Sequence, residues 1–310
     1  MHRLFWVFLF PYMLFSQEML TESVVVYNEA IELSGTLKLP SENKAQTLVI
    51  FIHGSGPIDR NGNAPKSPMK PNYIQQLGDT LQTRGIAFFS FDKRTANPKN
   101  IPYLATTRFQ DFGADVALLI NYFKQDGRFK KLFLIGHSQG SLIAIQQKSP
   151  FITGIISLAG GGTSVDNVLI RQLEAQNPAF GPIVKAHITE LMETDTILKV
   201  NPFLTGLFGA GQQQFLKSWI QVDPIIEIKN QTKPILILQG DEDLQVSSAD
   251  AKALASANKN SELVLIPKMN HVLKTVENAR ENQQSYYDFN FPLSAKLITK
   301  ILTFITQHNE

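Results

Sequence analysis

The chain has 310 residues, 43% hydrophobic and 18% charged, with a formal net charge of +2 and no cysteine. That length suffices for one large domain with a substantial core, and the composition is globular rather than disordered or membrane-embedded. The lack of cysteine excludes disulfides, thiolate metal sites, a cysteine nucleophile and a lipidated cysteine anchor. The small net charge, with no dense Lys/Arg block, leaves no electrostatic footprint for nucleic acid.

The chain opens on MHRLFWVFLFPYMLFSQE, with Arg3 ahead of an apolar run over residues 4–15 and then Ser16. A basic start, a short apolar middle and a small residue at the cut predict a signal peptide over residues 1–16, with the mature chain starting at Gln17 and exported to a periplasmic or secreted location. The run falls short of the ~20 residues of a membrane span, and Pro11 would interrupt a buried helix. No stable span is therefore expected once the leader is removed.

SVVVYN and IELSGTLKLP read as an opening strand pair. TLVIFIHGSG is a continuous apolar run ending in glycine, the pattern of a strand buried on both faces of a parallel sheet. Helix YIQQLGDTLQTRG, strand IAFFSFD, helix FGADVALLINYFKQ, strand KLFLIG, helix SLIAIQQK and strand ITGIISLAG follow. This alternation predicts an α/β architecture, a mostly parallel sheet flanked by helices, over residues 17–162. Residues 163–231 break the rhythm with helical segments such as VDNVLIRQLEAQ and IVKAHITELMETDTIL, separated by prolines and glycines, and predict a helical cap insertion. The rhythm resumes over 232–310 with PILILQGDED, SADAKALASAN, SELVLIP and AKLITKILTFITQ.

The stretch LFLIGHSQGSLIAI, residues 132–145, runs a strand into Gly136, His137, Ser138, Gln139 and Gly140 and then into a helix. A G-x-S-x-G between strand and helix predicts a nucleophile elbow, a sharp turn that lifts the serine above the strand end. Ser138 is then the nucleophile, and it needs a base oriented by an acid. Of six histidines, His2 lies in the leader, His308 at the C-terminus, His53 in an earlier loop and His187 in the insertion. His137 adjoins the serine and is poorly placed to reach its oxygen, so His271, in the loop after SELVLIP, is the candidate base. Asp241, Glu242 and Asp243, in the loop after PILILQG, are the candidate acids, and serine–acid–histidine is the chain order of one of the known triad arrangements. Backbone N–H donors for a developing oxyanion are expected from Gln139, next after the nucleophile, and from Ser55 in HGSGPIDRNGN. No Walker loop, H-E-x-x-H pair or strand-borne G-x-G-x-x-G is present, and GLFGAG sits in the helical insertion. Neither a metal nor a cofactor is called for.

In this order, HGSGPIDRNGN, FSFDKR, GHSQG, GDEDLQV and NH resemble the α/β-hydrolase superfamily over residues 24–307, and more narrowly bacterial esterases and serine-aminopeptidase-like (S33-type) hydrolases with an HGSGP-x-DR-x-G loop. The resemblance implies the α/β-hydrolase fold and hydrolysis of carboxylic esters, thioesters or amides without metal or organic cofactor, on a small acyl ester or a short peptide. It implies Ser138 as nucleophile, His271 as base, and Ser55 with Gln139 as oxyanion donors. It also singles out Asp243 among the three acids, because in the superfamily the acid stands three residues after a glycine, here Gly240. Two departures, DKRTANP without the usual following glycine and DRNGN with asparagine in place of aspartate, bear on the entrance and the substrate. A peptidase or amidase would hold a free amine with an acidic cap residue, for which Glu190, Glu193 and Asp195 are available. A non-catalytic binding protein of the same fold would have lost a triad member, and none is lost here.

Overall fold

In the computed structural model the described residues are 20–40 and 46–309. The expected signal peptide, residues 1–16, and its cut before Gln17 lie outside them. The opening pair is the antiparallel hairpin β1 (Leu20–Asn28) and β2 (Ile31–Leu39). Then come β3 (Thr47–Ile52), α1 (Tyr73–Gln82), β4 (Ala87–Phe91), α2 (Phe109–Asp126), β5 (Lys131–His137), α3 (Gln139–Ile145) and β6 (Ile152–Leu158). Helices α4 (Val165–Gln176), α5 (Phe180–Thr194), α6 (Thr205–Phe208), α7 (Ala210–Ile220) and α8 (Pro224–Lys229) intervene before β7 (Ile235–Gly240), α9 (Ser248–Ala257), β8 (Ser261–Ile266), α10 (Ala279–Gln284) and α11 (Ala295–Gln307).

The strands of the described residues form one sheet in the order β1-β2-β4-β3-β5-β6-β7-β8. β1–β2 and β2–β4 pair antiparallel and every other pair is parallel. Alternation along β3 sends Leu48, Ile50 and Ile52 into the core under α2, α3 and α9, and Val49 and Phe51 into the core under α1 and α11. Because successive side chains point to opposite faces, only a continuous apolar run can fill both cores. This is the α/β-hydrolase fold, as expected.

Chain direction places the site. From β3 the chain crosses to β4 on one side, then returns past β3 to β5 on the other. At such a reversal the loops leaving two neighbouring parallel strands part, opening a crevice beyond their carboxyl ends. β3 and β5 are in register up to Ile52↔Gly136, so the loop with Ser55 and the turn with Ser138 leave the sheet side by side.

The segment between β6 and β7 divides. α4 to α7 bury a core of their own around Val184, Leu191, Phe208 and Leu216. α8, within the residues expected as insertion, instead packs Ile228 into the sheet's core against α3 and α9. Asp223, whose side chain accepts from Ile225 N–H at 2.8 Å, caps the start of α8 and turns the chain back to the sheet. α2 starts at Phe109, ahead of the expected Phe112, because Asp111 accepts the Arg108 N–H at 2.7 Å. α10 has no apolar periodicity and was not anticipated; it is held by its Asn278 cap.

Candidate active site

Ser138 stands between β5 and α3 at φ 53°, ψ −119°, a strained conformation for a residue with a side chain. Its N–H is held by Leu158 C=O at 2.8 Å. The flanking glycines are dictated by backbone, not freedom alone. A Cβ on Gly136 would lie 2.2 Å from Gly140 O, and one on Gly140 2.2 Å from Ile52 O. No side chain fits where the elbow folds on itself and presses on β3.

Asp243 and His271 are brought together by the loops after β7 and β8. His271 Nδ1 lies 2.8 Å from Asp243 Oδ2, both side chains almost fully buried. The loops fit because a Cβ on Gly240 would lie 1.9 Å from Met269 O; Glu242 N–H bonds that same carbonyl at 3.1 Å. The Asp243 carboxylate also accepts from Gln239 Nε2 at 3.1 Å and from the backbone N–H groups of Gln245 and Val246 at 2.8 and 2.9 Å. Burial alone would raise its pKa, but the His271 charge and these bonds outweigh it, and the net direction is down. Of the other two candidates, Asp241 is exposed and accepts Lys268 N–H at 2.6 Å, and Glu242 is exposed too. Among the described residues the histidine's carboxylate partner is Asp243.

With Nδ1 engaged, His271 has Nε2 for the cavity that it and Ser138 both line. The His271 carbonyl is bonded to His137 Nε2 at 2.8 Å, and His137 Nδ1 meets Tyr73 Oη at 3.3 Å. Burial, then the neighbouring His271 charge, pushes His137 down to about 3. It is thus a neutral ring with both nitrogens occupied, supporting the base rather than being one. Asn270 anchors the same loop through Asn282 and Ser285 at 3.0 and 2.7 Å.

The N–H of Gln139, first residue of α3, is one that a helix leaves unpaired, and that of Ser55 has no partner among the described residues. The DKR tripeptide organises the loop that carries Ser55. Asp92 takes Arg60 at Nε and Nη2 (3.1 and 2.6 Å), Lys93 N–H bonds Ile58 O at 3.2 Å, and Arg94 pairs with Asp115 of α2 at 2.7 Å. These anchoring roles are not legible in FSFDKR as a motif. The one signal of them is three consecutive charged residues directly after an apolar strand.

A cavity of about 740 Å³ opens over the elbow, between the sheet's carboxyl end and α4, α6 and α7. Phe112, Leu142, Val168, Phe215, Trp219 and Val272 are among the side chains that make it largely apolar, and among the described residues no Asp or Glu lines it. The acidic residues considered for an amine are elsewhere. Glu190 accepts Leu198 N–H at 2.9 Å, Asp195 pairs with Lys217 at 2.5 Å, and Glu193 is exposed.

Comparison with known proteins bears on the family and the fold. The family model described as serine aminopeptidase, S33, matches residues 71–179, and that of the prolyl oligopeptidase family matches 182–293. Esterase EstD of Thermotoga maritima is 23% identical over 248 residues, covering 78% of this chain. The chain spans 58% of that relative's length. Among solved structures, Est1E from Butyrivibrio proteoclasticus superposes with a TM-score of 0.57 at 17% identity, over 92% of this chain and 99% of the other. The Pyrococcus furiosus esterase Pf2001 does so at 0.64 and 15%, over 94% and 92%. At these identities the structural likeness shows the fold.

Proposed function

We propose, for a chain that belongs to the α/β-hydrolase superfamily, that it is an exported serine hydrolase cleaving carboxylic esters through an acyl-enzyme. The observation that carries the reading is the buried Asp243–His271 pair opening onto the cavity that Ser138 lines from its strained turn. In this reading Ser138 Oγ attacks the ester carbonyl while His271 Nε2 takes its proton. Negative charge collects on the carbonyl oxygen and is met by the N–H groups of Ser55 and Gln139. The C–O bond breaks, His271 returns the proton to the leaving alcohol, and the acyl group stays on Ser138. Water, deprotonated by the same ring, then attacks the acyl carbonyl and releases the acid. Asp243 stays ionised throughout, holding Nδ1 protonated and stabilising the imidazolium.

The α4–α7 segment acts as the cap over this site and sets the size of acyl group accepted. A largely apolar cavity, lined by no carboxylate among the described residues, suits an uncharged acyl chain, and the relatives named esterases support the same choice. Peptide or amide cleavage is the second reading, favoured by the two peptidase family models. Export rests on the amino-terminal pattern of residues 1–16. A panel of p-nitrophenyl esters of graded chain length beside aminoacyl p-nitroanilides decides between the readings. Ester turnover with inert anilides is the expected result, and anilide turnover without ester turnover would overturn it.

A further inference from the structure

Lys93 is 4% exposed, and among the described residues no carboxylate lies within 4.0 Å of its ammonium. Nζ instead donates to Gly54 O at 2.7 Å and to the side-chain Oε1 of Gln139 at 2.6 Å, and sits 4.6 Å from the centre of the Phe112 ring. As filler a methionine would span the same gap without desolvating a charge, so the two bonds are what this side chain adds.

We infer that Lys93 is a positioning residue that ties the loop after β3 to the start of α3 and thereby aims the Ser55 and Gln139 N–H groups at a single point. The inference rests on the proposed reading of those groups as oxyanion donors. Gly54 C=O and Ser55 N–H belong to one trans peptide plane. Fixing the carbonyl on Lys93 fixes the N–H in the opposite direction, away from the lysine. On the other side, the Gln139 side chain is held while its own backbone N–H, at the helix start, has no partner among the described residues. One ammonium therefore sets the mutual position of two donors that come from different strands' loops. A charged donor on Gly54 O also polarises that peptide, making its N–H a stronger donor. Burial lowers the Lys93 pKa to about 7, yet a neutral amine still carries the two N–H bonds that the tie uses.

Donors displaced by a fraction of an ångström stabilise the transition state less while binding substrate much as before. The test compares wild type, Lys93→Met, Gln139→Met, the double variant of these two and Ser138→Ala in two readouts: the rate of labelling by a fluorophosphonate, and kcat and KM on a p-nitrophenyl ester. Lys93→Met should lower both labelling rate and kcat by about 10- to 100-fold with KM little changed. Gln139→Met breaks one of the two ties but keeps the backbone N–H. It should lose less, and the double variant should be no worse than Lys93→Met alone, as expected for residues acting through one contact. If Lys93→Met does not fold, a fall in kcat at constant KM in Gln139→Met carries the result, and unchanged kcat there overturns it. Wild-type labelling rate in folded Lys93→Met, with labelling abolished in Ser138→Ala, would overturn the Lys93 role and leave the proposed function standing. No labelling of wild type at all would remove both.

Discussion

Replacing Asp243 by asparagine preserves shape and removes one charge. Its Oδ1 bonds to the Gln245 and Val246 N–H groups, at 2.8 and 2.9 Å, can persist through the amide carbonyl. The amide nitrogen then takes the place of Oδ2, which now accepts from both His271 Nδ1 and Gln239 Nε2. Two donors would face a third. His271 can relieve this only by moving its proton to Nε2, the tautomer that cannot accept from Ser138. Loss of the correct tautomer in a serine triad lowers kcat by ~10⁴, or about 5.5 kcal/mol of transition-state stabilisation. KM should move little, since the cavity is unchanged. Folding should weaken by ~1–3 kcal/mol through the buried donor conflict, measurable by urea unfolding. Asp241→Asn is the internal control: its bond to Lys268 N–H can be made by an amide carbonyl, so kcat should stay near wild type. If Asp241→Asn were the inactive variant and Asp243→Asn the active one, with both folded, the acid assignment would be wrong.

Two further outcomes follow from backbone strain and burial. At φ 53°, ψ −119°, glycine is at ease where alanine is not; the usual order, in which alanine is the more stable by ~0.5–1 kcal/mol, should be reversed, so Ser138→Gly should unfold at a higher urea concentration than Ser138→Ala. The opposite ranking would mean the turn stores no strain. Burial lowers Lys93 from 10.5 to about 7, so between those values the unfolded chain binds a proton that the folded chain does not, and stability rises with pH. The stability of wild type relative to Lys93→Met should climb from pH 7 to pH 10 by at most ~1.4 kcal/mol per pH unit. Parallel stability curves for the two proteins would contradict it. Lys274, lowered to about 8 by burial, is common to both and cancels.

Much of the fold was legible because parallel strands buried on both faces must be written as unbroken apolar runs, and TLVIFI, KLFLIG and PILILQG are such runs. The elbow was legible for a steric reason, since Gly136 and Gly140 occupy points where a Cβ would meet backbone. Asp243, Asp241 and Glu242 could not be told apart by residue chemistry, only by resemblance. What separates them in space is the closeness of Gly240 to Met269 O, a contact between two loops that no local pattern encodes. Where the helical segment leaves the cap for the sheet is hidden from the sequence for a similar reason. α8 has the same helical spacing whether it packs on the cap or on the sheet, and only Ile228 meeting the core of α3 and α9 decides it. His137 is set aside as a base by its place next to Ser138, and only its two ring bonds, to the His271 carbonyl and to Tyr73, make it the support of the base.

The account stands on Ser138 as the attacking group. Reaction with a fluorophosphonate, followed by proteolysis and peptide mass mapping, should place one phosphonyl group per chain on Ser138, with no adduct in Ser138→Ala. An adduct that forms on another residue, or persists when Ser138 is alanine, would contradict it.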